Sequence, residues 1–321
     1  MFTAGREVRL ETRALVILSA GSFLLFGMGG NSGGARRADA RRANPASNLR
    51  ALVEQMVNNE IRAQNEDAKH WRFCKTTVKG GVSKTWNVVE TKDGEVKRLV
   101  AINGRPLSAE EQRAEEERMQ KFLSSPEEQA KERESAAKDY QKEQELMKAL
   151  PEAFLYTYAG RRGDLERIRF RANPQFHPAT RDEEVLPHVG GVMVIDVKSK
   201  RLVEFRGDLT SGVKFGYGVL GYLNKGGTFD VRQQDVAGDH WDVTLLEMNI
   251  TGKALLFKSI AIQEKILEGG YRRVSDNLTL QQAANLLKGR ASQEAFGGRD
   301  GCCGDARGQG WMGSGAGGNA N

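Results

Sequence analysis

The side chains that could do chemistry are few and poorly clustered. Four histidines occur, His70, His177, His188 and His240. His177 and His188 flank Asp182, Glu183 and Glu184. Such a set could hold a metal ion, but the His–His gap matches no established ligand spacing and no H-E-x-x-H is present. His240-Trp241 opens a predicted strand and reads as structural. Asp196, Glu204 and Asp208 fall near one predicted hairpin. Paired carboxylates can act as acid and base, yet carboxylates at hairpin ends ordinarily face solvent. No G-x-S-x-G elbow appears, and no Cys/His pair has local support. Gly226-Gly227 and Gly269-Gly270 read as turns, because no Gly-Lys-Ser/Thr follows to make a phosphate loop. Arg167, Arg169 and Arg171 form a basic strand face without the interleaved aromatics of a nucleic-acid platform. The chain is therefore expected to be non-catalytic, with no cofactor, no metal and no nucleic-acid partner.

The three cysteines, Cys74, Cys302 and Cys303, are too few and odd in number for a disulfide framework. Cys74 sits in a predicted strand and reads as a small buried hydrophobe. Cys302 and Cys303 are adjacent, which disfavours a bond between them. Pairing between chains or weak metal binding are open to them; the default is no role.

The remaining signal is aromatic. Trp71, Phe73, Trp86, Phe154, Tyr156, Tyr158, Phe170, Phe215, Tyr217, Trp241 and Phe257 all fall in predicted strands. Taken singly, each reads as core. Taken together, they suit a groove for an acyl chain, since ligand pockets are mostly apolar. Trp71, Phe73, Trp86, Phe154, Tyr156, Phe215 and Tyr217 are the candidate lipid-contacting residues.

The elements that must position them follow from periodicity. Leu49, Leu52, Val53, Met56 and Val57 make a helical stripe over 47–64, capped by Ser47 or Asn48. Alternating runs from Trp71 to Ile102, with turns at Thr91–Gly94 and Asn103-Gly104, predict an antiparallel meander. Residues 108–149 are mostly Glu, Lys, Gln, Arg and Ala, all good helix formers. Ser108 and Glu111 have capping-box spacing, and Pro126 splits the stretch into two helices. Their apolar residues are few, so these helices should be mostly solvated and touch the core at their ends. Strands resume after Pro151. The chain turns at Gly160–Gly163, and residues 172–189 read as a long loop of the kind often functional. Val192–Asp196 reads as a central strand covered on both faces. Further strands are expected at Arg201–Phe205, Val213–Val219, Thr228–Gln234, Trp241–Ile250 and Ala254–Ile262, with a last helix over Thr279–Lys288.

Of the charge, 108–149 carries twelve acidic and eight basic side chains, so the rest of a +6 chain is distinctly basic. That balance suits solubility, or contact with an anionic membrane surface or acidic partner. Residues 14–28 form an uncharged apolar run after Arg6, Arg9 and Arg13. At fifteen residues it is shorter than the roughly 20 a membrane span needs, and it reads as an export signal. Cleavage would fall after Ala35 or near Ala38–Ala40. Arg36, Arg37, Arg41 and Arg42 oppose translocation, so an uncleaved anchor and a buried core helix are the alternatives.

The expected architecture is α+β: a curved antiparallel β-sheet, a half-barrel of about ten strands, with N-terminal and C-terminal helices and a charged helical insertion. The expected layout is a signal peptide or membrane anchor at 1–35, a linker at 36–46, a single half-barrel-like domain at 47–288 with its insertion at 108–149, and a disordered Gly-rich tail at 289–321. With its export signal, first helix, strand meander and the hairpin Val192-Met193-Val194-Ile195-Asp196…Arg201-Leu202-Val203-Glu204-Phe205, residues 47–265 resemble the periplasmic lipoprotein-carrier superfamily of LolA-like and LppX-like half-barrels. The insertion and the tail depart from that pattern. The resemblance implies non-catalytic carriage of a lipid or lipoprotein acyl chain in the periplasm, or at the inner membrane if the signal is uncleaved. The alternatives are an envelope scaffold with a protein partner and, further off, an envelope hydrolase built on His177 and His188.

Overall fold

The computed structural model describes residues 45–66, 69–215, 220–238, 240–254 and 258–289. The apolar run at 14–28, the arginines at 36–42, Tyr217, Phe257, Cys302 and Cys303 lie outside the described residues.

Helix α1 (Pro45–Glu66) leads into a meander of β1 (Trp71–Lys79), β2 (Val82–Thr91), β3 (Gly94–Ile102) and the short β4 (Arg105–Pro106). The β3–β4 turn is the expected Asn103-Gly104, with φ of 50° and 73°, the left-handed pair that a tight hairpin of this hand requires. Helices α2 (Ala109–Ser124) and α3 (Pro126–Ala153) follow. Next come β5 (Phe154–Arg162), β6 (Leu165–Ala172), β7 (Val189–Asp196) and β8 (Arg201–Leu209). The C-terminal part holds β9 (Val213–Phe215), β10 (Gly221–Leu223), β11 (Thr228–Asp235), β12 (Trp241–Ala254), β13 (Lys258–Arg273) and α4 (Leu280–Lys288). Among the described residues no helix is long and apolar enough to cross a membrane.

Among the described residues, thirteen strands form one curved, open antiparallel sheet in the order β4-β3-β2-β1-β13-β12-β11-β8-β7-β6-β5, with β9 and β10 branching from β12. The fold is α+β, as expected. The count exceeds ten in part because β4 and β10 span only two and three residues, too short to show alternation. Five local expectations change. Helix α1 begins at Pro45, so Ser47 and Asn48 lie inside it and not at its cap position. The strand expected at Ala254–Ile262 is divided, because β12 runs on through Ala254 and β13 is Lys258–Arg273. Gly269 and Gly270 lie inside β13 rather than in a turn. They sit where its pairing with β1 shifts register between Arg72 and Cys74, a bulge that glycine eases. The β5–β6 turn is Gly163-Asp164, because β5 continues through Arg162, which pairs with Leu165. The long loop contains a 3-10 helix, Asp182–His188. Its Val185 and Leu186 are fully buried in the main core.

Antiparallel register puts Ile168, Met193, Phe205, Val231, Leu246 and Ile266 in one row across six strands. This is the inner face. Val53, Met56 and Val57 of α1 and Leu146 and Leu150 of α3 pack on it. Phe154, Phe170, Phe205 and Phe229 meet ring to ring in sequence along it, with centroids 4.8, 4.9 and 5.1 Å apart, the middle pair stacked and the outer two tilted. Gly191 and Gly207 face each other between Phe170 and Phe229. A Cβ on Gly191 would lie 2.1 Å from the Arg206 carbonyl oxygen, so these two strands approach more closely than side chains permit.

Glu60 of α1 latches the helix to the β7–β8 hairpin. Its carboxylate accepts from the Arg201 guanidinium at 2.9 Å, the Leu202 N–H at 2.8 Å and the Gln233 amide at 3.1 Å. Asn59 donates to the Ser199 and Lys200 carbonyls in the same hairpin.

The capping box is present, with Ser108 and Glu111 each accepting the other's backbone N–H. Arg105 adds a fork of two 2.7 Å bonds to Glu111. That fork and the Ser108 backbone bond hold the Glu111 carboxyl down, to about 2. Because the folded value is lowered, the stabilisation is present above 4.5 and is lost as pH falls toward 2. A carboxyl NMR titration should therefore place the Glu111 midpoint near 2; a midpoint near 4.5 would mean that the fork does not form in solution.

The insertion helices touch the core at their ends. Met119 of α2 packs with Ala283, Ala284 and Leu287 of α4 over Val89 and Val96. The C-terminal end of α3 joins the main core through Leu146, Met147 and Leu150.

Candidate functional site, a cavity beneath helix α3

The candidate lipid contacts separate into two groups. Phe154 and Tyr156 are buried in the main core, and Phe215 packs against it. The Tyr156 hydroxyl donates to the Leu150 carbonyl at 2.6 Å, and burial pushes its ionisation far up. Removing only that hydroxyl, Tyr156→Phe, should lower stability by about 1 kcal/mol in urea unfolding. Trp71 and Phe73 join a separate cluster with Val88 and Tyr271, against which Trp86 packs. Much of the inner face is thus filled by α1, the end of α3 and the 3-10 helix. The filling was hard to foresee, since Val185 and Leu186 lie in a stretch that reads as loop.

Among the described residues, a cavity of about 430 Å³ lies open between residues 129–143 of α3 and the inner face of β1, β12 and β13. Phe73, Val243, Leu246, Ile266 and Phe122 supply its apolar lining. Of the seven candidate contacts, Phe73 lines it.

The polar wall is built by strand register. Lys75 of β1 lies opposite Glu268 of β13, and the two form a 2.9 Å ion pair. Burial alone would depress Lys75, but Glu268, Glu95 and Asp242 together hold it above its ordinary value. It is therefore an ammonium at neutral pH and an ion-pair partner, not a free amine nucleophile. The Tyr271 hydroxyl donates to the other Glu268 oxygen at 2.9 Å, and burial first, then Glu268, pushes Tyr271 well up. Tyr271 stacks on Phe73 at 4.8 Å, and His240 stacks on Trp71 at 4.3 Å with its Nε2 3.6 Å from Asp242. On the helix side, burial raises Asp139. Lys75, Asp242 and Glu268 were absent from the sequence reading. The available signal was the alternation Trp71, Phe73, Lys75, which places a lysine on the inward face.

Three of the other candidate groups have local partners. Asp196 accepts the Lys198 and Ser199 N–H groups of its turn. Glu204 pairs with Arg206. His188 Nδ1 lies 2.7 Å from the Ser211 hydroxyl. Among the described residues no three His, Cys, Asp or Glu side chains are grouped to hold a metal ion. Cys74 is fully buried, as its strand position implied.

No family model matches the chain, and comparison with curated proteins finds no match. Among solved structures, the chain is similar to the crystal structure of a DUF1329 family protein from Desulfovibrio piger. The two share 9% identity over 74% of this chain and 99% of that one, with a TM-score of 0.22. Likeness at that level carries no argument about fold or function.

Proposed function

We propose that the protein is a non-catalytic binder of a lipid or lipoprotein acyl chain, working outside the cytoplasm. The observation that supports this reading is the cavity beneath α3. Its 430 Å³ falls within the roughly 300–1,000 Å³ of small-molecule sites. Phe73, Val243, Leu246 and Ile266 give it an apolar wall beside a charged one, so a hydrocarbon chain and a polar head each have a surface to meet. The apolar run at 14–28 supports export, where such cargo would be met.

Native mass spectrometry of the purified full chain, with organic extraction, tests the proposal. An amphiphile should copurify or be taken up at about one per protein. Ile266→Trp, which adds bulk to the apolar wall, should reduce that occupancy without unfolding the chain, as judged by circular dichroism. A protein that neither copurifies with an amphiphile nor takes one up would overturn the reading.

A further inference from the structure

We infer that the open edge of β5 takes up an extended acidic segment of a partner protein, which joins the sheet as a further strand. The cavity lies on the other side of the sheet from the charges that carry this inference, so the two readings are independent. The sheet is open and ends in two edges. At one, α2 covers β3: Glu115 accepts the Leu99 N–H at 2.8 Å, and Arg118 donates to the Lys97 carbonyl at 2.6 Å. At the other, β5 pairs with β6 alone, and among the described residues nothing bonds the far edge of residues 155–158. A row of unpaired N–H and C=O groups is a template for another strand. Leu155 and Tyr158 stand exposed beside it, Tyr158 at 55%.

Charge selects the partner. Farther along the outer face of the sheet, charges are paired: Glu204 with Arg206, Asp230 with Arg232, Glu247 with Lys265. On β5 and β6 the same face holds arginines and no carboxylate. Register places Arg167, Arg169 and Arg171 there on β6, and Arg162 on β5. Arg162, Arg169 and Arg171 have no carboxylate partner among the described residues. Arg169 lies opposite Thr157 and Arg167 opposite Gly160. These are small residues, across which a guanidinium reaches toward a strand added about 10 Å from β6. A second copy suits this edge poorly, because antiparallel β5–β5 pairing would gather the β6 arginines of both copies on one face. A bilayer would leave the edge groups unpaired. An extended segment that alternates acidic and apolar residues satisfies the backbone, sets carboxylates toward Arg169 and lays apolar side chains beside Tyr158.

Three labelled peptides of about ten residues test this by fluorescence anisotropy against the full chain. One alternates Glu and Val, one alternates Lys and Val, and one is the Glu–Val peptide with every backbone nitrogen methylated. The Glu–Val peptide should bind at least about tenfold tighter than either of the others. Hydrogen exchange should then show new protection at residues 155–158. The double substitution Arg169→Glu and Arg171→Glu, at exposed side chains, should weaken the Glu–Val peptide about tenfold and strengthen the Lys–Val one. Equal binding of the methylated peptide would overturn strand addition. An acidic preference untouched by the double substitution would overturn its assignment to this face. Binding to phosphatidylglycerol vesicles with none to the Glu–Val peptide would overturn the inference in favour of a membrane surface. A dimer of the protein alone that the peptide disperses, seen by sedimentation, would overturn it in favour of a second copy.

Discussion

Glu60→Ala should destabilise the protein by about 3–5 kcal/mol, the cost of breaking a buried ion pair by removing one partner. Glu60 is 3% exposed, and the Arg201 side chain it pairs with is 11% exposed. Removing the carboxylate leaves a buried guanidinium without its ion-pair partner. It also leaves the Leu202 N–H and the Gln233 amide without the acceptor they share. Burial raises the Glu60 ionisation and Arg201 opposes that rise, so the site balances only when complete. Glu60→Gln keeps one carbonyl acceptor and should cost less than the alanine. Urea unfolding of the three proteins checks this. An alanine variant within about 0.5 kcal/mol of the parent, the ordinary range for surface changes, would show that the latch does not hold α1 to the sheet.

Gly191→Ala should cost at least about 3 kcal/mol, the upper end of overpacking. The added methyl would sit 2.1 Å from the Arg206 carbonyl oxygen and 2.6 Å from the Gly207 Cα. Both obstacles are backbone, so no rotamer change relieves them; β7 and β8 must separate. Separation would also disturb the stack of Phe170 on Phe205, which flanks this row. Gly269→Ala is the control. It too changes a strand glycine, but its Cβ would meet nothing within 4 Å, and it should stay within about 0.5 kcal/mol. Equal losses at the two positions would mean that the sheet does not make this close approach in solution.

Most of the sheet, both insertion helices and the α2 cap were legible because they rest on local rules. Strand alternation, Ser108 with Glu111 and Pro126 act within a few residues. The cavity was not legible, because it depends on which strands meet. Lys75 and Glu268 are paired only because β1 lies beside β13, and nothing local to either announces that neighbour. The same holds for Glu60 and Arg201, on α1 and β8. Aromatic residues were visible as a class, but their division between a packed core and an open site was set by Val185, Leu186 and the end of α3. Each of those closes the inner face from a distant part of the chain.

The pairing of β1 with β13 has a consequence for synthesis. Before β11–β13 exist, β1–β4 and β5–β8 are two separate meanders with no strand pairing between them. Residues 80–257 must be translated before β13 begins, which takes roughly 10–40 s at about 5–20 residues per second. For that interval the edge of β1 is a row of unpaired N–H and C=O groups beside Trp71 and Phe73, an opening for chaperones and for wrong strand partners. Closure then waits on a pairing between distant parts of the chain, the kind of contact that makes folding slow.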